Sequence, residues 1–308
     1  MLTRRAGFTL IELLVGIALA SLVGAAIVQL LVRQQRFYNS TNDATLTRQQ
    51  LRQAAAILPA DLKGISSVGG DIYLMTDSSL EFRSAFGSSV VCTNLAGKLS
   101  TVPQSLAKGS VMSSWSMPLS PGDSVAVYND GASINVTDDA WSRYQISVVT
   151  AVAGNVANGC PTSSGLVQPS DLTGSNPSYQ LTFVSAASGN IHPGAAMRFF
   201  RRVRYRLYKD TDNKWYLGYY DCKTGRSPVC NTTKAIAGPF QPYATNGTSG
   251  VQFAYYDATG AVTAIPANVM RISLVVRGQG AGLVNFTGTH ATTFGDSMRI
   301  EIGLRNRN

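Results

Sequence analysis

The sequence predicts an α+β fold: a long N-terminal α-helix, its first part apolar enough to sit in a membrane, followed by an antiparallel β-rich globular head. Three observations lead there. Phe8 to Val32 is an apolar run with Glu12 as its one ionisable residue and with no proline. Beyond it, apolar residues recur at helical spacing as far as Leu62. From Ile65 onward, short apolar stretches separated by turn residues replace the helical pattern, as strands and turns do.

Residues 1–7 are too short and too polar to hold the apolar part of an ordinary secretory signal, which precedes its cleavage point; here the apolar stretch follows. As a helix, residues 8–32 extend roughly 37 Å, enough for a hydrocarbon core of about 30 Å. Arg4 and Arg5 lie before this span and Arg33 and Arg36 after it, so flanking charge leaves its orientation open. Residues 33–64 continue the helix as an amphipathic strut. Phe37, Ala44, Leu51, Ala55, Leu58 and Leu62 form its apolar stripe, while Gln and Arg fill the other positions. Pro59 is expected to kink or restart it.

Residues 65–308 make the head. Strands are expected at 72–75, 80–82, 89–92, 124–128, 144–149 and 179–184, with long loops over 151–178. Residues 199–208 alternate, with Val203, Tyr205 and Leu207 on one face and Arg202, Arg204 and Arg206 on the other. The turn Asp210 to Asn213 joins them to a strand at 215–220, forming a hairpin. A second hairpin is expected from 251–256 and 261–265, followed by strands at 269–277 and 298–304 joined by a flexible Gly/Thr-rich loop from Gly278 to Gly295.

Hydrophobic residues at 44% and charged residues at 14% supply a core and argue against disorder throughout. The formal charge of +9 falls to +7 if residues 1–7 are removed, and suits contact with an acidic polymer or anionic lipid. All four cysteines lie beyond the apolar run and allow three disulfide connectivities. The short loop between Cys222 and Cys230 favours that pair, leaving Cys92 with Cys160. A zinc site fits poorly: no cysteine pair has C-x-x-C spacing, and the histidines are His192 and His290. The segment Asp210 to Trp215 lacks the glycine and distant glutamate of a calcium loop, so a plain turn explains it better. No hydrolase, metalloprotease, P-loop or dinucleotide motif is present, and no cofactor is expected. Trp115, Trp141 and Trp215 suit core or turn anchors. Arg202, Arg204 and Arg206 could contact phosphates beside Tyr216, Tyr219 or Tyr220, or could simply form a solvated strand face.

The stretch Ala6-Gly7-Phe8-Thr9-Leu10-Ile11-Glu12-Leu13-Leu14, behind a short basic leader, resembles the cleavage and methylation motif of type IV pilins and type II secretion pseudopilins. The head is similar in order and size to W-type minor pilins and J-type minor pseudopilins. The resemblance implies cleavage after Gly7 by a prepilin peptidase and N-methylation of Phe8. It implies single-pass insertion in the inner membrane with a cytoplasmic N-terminus, the head being periplasmic or extracellular, where disulfides persist. It further implies a structural, non-enzymatic minor subunit of a type IV pilus or type II secretion pseudopilus. That subunit would prime assembly or sit at the tip, with other pilins as partners; a DNA-binding uptake pilin is the alternative. Glu12, an acid within a membrane helix, is the candidate assembly residue. It could neutralise the Phe8 amine of a neighbouring subunit, or sit at the interface in contact with water and lipid heads.

Overall fold

The computed structural model describes residues 9–106, 109, 111–133, 137–223, 230, 232–284 and 292–304. One long apolar N-terminal helix leads into an antiparallel, sheet-rich head. Helix α1 spans Leu10–Leu62, with Thr9 as its N-cap. The strands are β1 (Ile72–Met75), β2 (Ser79–Leu95), β3 (Lys98–Thr101), β4 (Ser114–Trp115), β5 (Ser124–Asn129), β6 (Ala140–Val152) and β7 (Ser178–Phe183). They continue with β8 (Ala196–Lys209), β9 (Trp215–Asp221), β10 (Thr232–Phe240), β11 (Val251–Tyr256), β12 (Arg271–Val284) and β13 (Thr292–Gly303).

Strand β8 organises the head. Along one edge it pairs with β2, from Ser79 opposite Arg206 to Val90 opposite Ala196. Its other edge is shared: β5 pairs with Met197 to Phe200, and β9 with Val203 to Lys209. Two lobes diverge from that fork. In the first, β2, β3, β7, β6, β5 and β8 pair in turn until the ring closes on itself, which removes free edges. Phe86, Leu99, Val125, Ile146, Leu181 and Phe199 fill its interior. In the second, β1, β2, β8, β9, β10 and β12 form an open sheet. Strands β11 and β13 flank β12, and α1 packs across β10, β12 and β13.

Arg201 stands at the fork, where charge and burial meet. Its guanidinium donates to both oxygens of the buried Asp123 at 2.7 Å, to the Pro118 carbonyl at 2.9 Å and to Ser120 Oγ at 3.0 Å. A fully satisfied buried pair of this kind fixes geometry more than it adds stability.

Several local expectations need correction. Pro59 does not end or restart α1, which runs on to Leu62 and is closed by the Lys63 N–H donating to the Pro59 carbonyl at 3.1 Å. Pro59 lacks the N–H that would donate to the preceding turn, and the burial of Leu58 and Leu62 in the core carries the helix past it. The buried stripe is Ser40, Thr47, Leu51, Ala54, Leu58 and Leu62, whereas Phe37 is 69% exposed. Residues 80–82 and 89–92 belong to one 17-residue strand. Residues 261–265 form no strand; Val262 makes a lone bridge to Tyr256, Pro266 opens a 3-10 turn, and β11 takes β12 as its partner. The glycine-rich stretch after Gly278 is largely sheet, because β12 runs to Val284 and β13 begins at Thr292. A glycine is needed there: a Cβ on Gly278 would lie 2.5 Å from Thr47 Cγ2.

Candidate processing and assembly site

The N-terminus of α1 is built by a capping box. Thr9 Oγ1 accepts from the Glu12 N–H at 3.3 Å, while Glu12 Oε2 accepts from the Thr9 N–H and hydroxyl, both at 2.9 Å. Two orphan donors of the helix end are thereby satisfied reciprocally. The sequence signal is the Thr-x-x-Glu spacing of Thr9 and Glu12. Glu12 thus has a role within its own chain that its position in the apolar run did not reveal. Gly7 and Phe8 lie outside the described residues.

From Leu10 to Val32 the helix is long and apolar enough to cross a membrane, and its side chains are left uncovered by the other described residues. A Cβ at Gly16 or Gly24 would meet no atom within 4 Å, so the small residues leave open flats on the helix surface. In lipid such flats let helices approach closely. Arg33, Arg36, Phe37 and Tyr38 follow directly, the two aromatic rings 69% and 72% exposed, at the level where an interface would lie.

The second half of α1 is fastened to the sheet. Leu58 and Leu62 are fully buried in the same core as Tyr205, Phe240 and Leu274. The Gly282 N–H donates to Asp43 Oδ2 at 3.0 Å, and exposed Arg48 pairs with Asp296 at 3.0 Å. Tyr205 donates its hydroxyl to Asp61 Oδ2 at 2.5 Å. Burial holds the Asp61 carboxyl above its ordinary range, partly opposed by that hydrogen bond.

On the head, the three arginines of β8 have unequal surroundings. Arg202 and Arg204 both clamp Glu81, which is 1% exposed; the Arg204 Nε reaches it at 2.7 Å, and Arg202 also lies over the Tyr73 ring at 4.3 Å. Arg206 is exposed and its side chain has no ion-pair or hydrogen-bond partner among the described residues. Two disulfides, Cys92–Cys160 and Cys222–Cys230, are formed. The second lies against Glu81, and its sulfurs, being joined to each other, offer no thiolates to a metal. In the turn after β8, Asp212 accepts from the Lys214 N–H at 3.0 Å and from the Tyr216 hydroxyl at 2.7 Å, as a plain hairpin turn requires.

Residues 2–28 match the family model described as the prokaryotic N-terminal methylation motif. No curated protein matches the chain, and no solved structure does. The match covers residues 2–28 and does not extend to the head. The chain therefore carries a processing motif of prepilin type, fused to a helix that anchors a β-rich head.

Proposed function

We propose that the chain is a membrane-anchored minor subunit of a pilus or pseudopilus filament. It is cleaved between Gly7 and Phe8 by a prepilin peptidase, methylated on Phe8 and inserted by α1 among the helices of other pilins. One observation carries this: the methylation motif at residues 2–28 overlaps the part of α1 that has no packing partner among the described residues. An apolar helix about 30 Å long must be covered by lipid or by other helices. The same surface can serve as anchor before assembly and as filament core after it. Glu12 fits both stages. Within the subunit it closes the capping box, and between subunits its carboxylate can meet the new Phe8 amine, offsetting the desolvation of both charges. A head with two lobes and two disulfides is bulky for a repeating shaft unit, which favours a low-copy place in priming or at the tip.

Intact mass and N-terminal fragmentation, measured on the chain from cells that hold a prepilin peptidase, test this proposal. The expected species begins at an N-methylated Phe8, and replacement of Gly7 by a bulky residue leaves the leader attached. A wild-type chain that keeps Met1 to Gly7 in such cells contradicts it.

A further inference from the structure

Val32 ends the apolar span of α1, and Ser40 is the first residue of the helix to be buried against the head. The residues between them, Arg33 to Asn39, are all exposed and differ in chemistry from both neighbours. Arg33 and Arg36 are cations, Phe37 and Tyr38 are exposed aromatics, and none of the stretch is acidic. The helical rise puts Arg33 about 1.5 Å and Arg36 about 6 Å beyond Val32. The polar layer of a bilayer adds roughly 5–7 Å to the hydrocarbon core on each side, so both arginines start within it. The next acid along the helix, Asp43, lies about 16 Å past Val32 and accepts from the Gly282 N–H. Arg33 and Arg36 are three residues apart and so are neighbours on the helix surface, and neither side chain has an ion-pair or hydrogen-bond partner among the described residues. With the N-terminus cytoplasmic, as the family resemblance implies, these arginines stand on the side where flanking positive charge opposes insertion, so they do not serve to orient the helix.

We propose that Arg33 to Tyr38 bind the head group of an anionic phospholipid in the leaflet on the head side of the membrane. The two guanidiniums share its phosphodiester in charge-assisted contacts, and the rings of Phe37 and Tyr38 lie at the boundary between head groups and acyl chains. Lipid is the occupant because the segment continues directly from a span that lipid must cover before assembly, at the depth where phosphates lie. A zwitterionic head group brings a cation of its own and leaves the arginine pair uncompensated. This inference rests on the membrane anchoring proposed above and goes beyond it by assigning the anchor a lipid preference.

The test uses the full chain, purified in detergent from cells that hold a prepilin peptidase and incubated with equal amounts of phosphatidylglycerol and phosphatidylcholine. Retained lipid is read by native mass spectrometry. The wild-type chain should keep phosphatidylglycerol about tenfold or more over phosphatidylcholine, the size expected of two basic residues at an anionic surface. The double variant Arg33→Gln/Arg36→Gln, at exposed sites that leave thermal unfolding of the head unchanged, should lose the preference, and Arg33→Lys/Arg36→Lys should keep most of it. Inorganic phosphate at the lipid's concentration should not displace the lipid. Equal retention of the two lipids by wild type, a preference that survives in the glutamine variant, or displacement by phosphate, which marks a site for a free anion, overturns the proposal. The same spectra report the N-terminus, so a chain that begins at Phe8 yet shows no lipid preference counts against this inference alone and leaves the proposed processing standing.

Discussion

The two halves of α1 share one backbone and face opposite demands. From Leu10 to Val32 the helix is apolar all round and exposed all round. From Ser40 to Leu62 it buries one narrow stripe, which includes the small residues Ser40, Thr47 and Ala54 beside the leucines, with Thr47 lying close against Gly278 of β12. Hydrophobicity alone therefore does not mark where the helix packs within its own chain. The more apolar half packs on none of the other described residues, and the more polar half is the spine of the head. The first half must find its cover in lipid or in other subunits, while the second brings its partner with it.

Substitutions that are chemically identical should separate the halves. Leu58→Ala removes a fully buried side chain and should lower head stability by about 2–5 kcal/mol, measured by denaturant unfolding. Leu22→Ala, at a side chain 70% exposed, should leave the same transition in place. Equal losses at both sites would erase the distinction. Gly278→Ala should come next, at about 1–3 kcal/mol, because the added methyl meets Thr47 from the helix side.

A smaller effect lies at Asp61, whose folded-state pKa is raised by burial above the unfolded value. Between those two values the native state holds the proton and the unfolded state does not, so stability from this group falls as pH rises through the window. Comparing wild type with Asp61→Asn cancels the other carboxylates. The difference should shift in favour of wild type as pH falls through the raised pKa toward the ordinary aspartate value, and a pH-independent difference would remove Asp61 from the helix-to-sheet contact. The smallest effect is expected at Arg48→Ala. Its pair with Asp296 is solvent-exposed and should contribute no more than about 1 kcal/mol, decreasing with added salt.

What the sequence disclosed follows the same division. The helix, the α+β class and the motif were legible because each rests on local pattern: an apolar run, a period and a short signature. Strand β1 was legible to the residue for the same reason. Strand β10 was not, since Thr232 to Phe240 mixes Thr, Lys, Ala, Gly and Pro without alternation and is a strand because β9 pairs with it. The continuation of β12 past Gly278 read as a flexible loop because glycine is the usual mark of one; here its lack of a side chain admits the helix. The closed ring was invisible too, as its closure depends on β2 and β8 each serving both lobes. At the candidate sites, the arginine row of β8 was evident, but Glu81 arrives from a distant strand and divides that row into held and free members.

Whether the first half of α1 is a shared assembly element is tested most directly by the amount of Glu12→Gln chain recovered in sheared filaments, relative to wild type. Glutamine can keep the capping box with Thr9 but carries no charge for a neighbour's Phe8 amine. The predicted result is a processed, membrane-inserted chain that is nearly absent from filaments. Recovery equal to wild type would contradict a role for Glu12 between subunits and leave it as a helix cap alone.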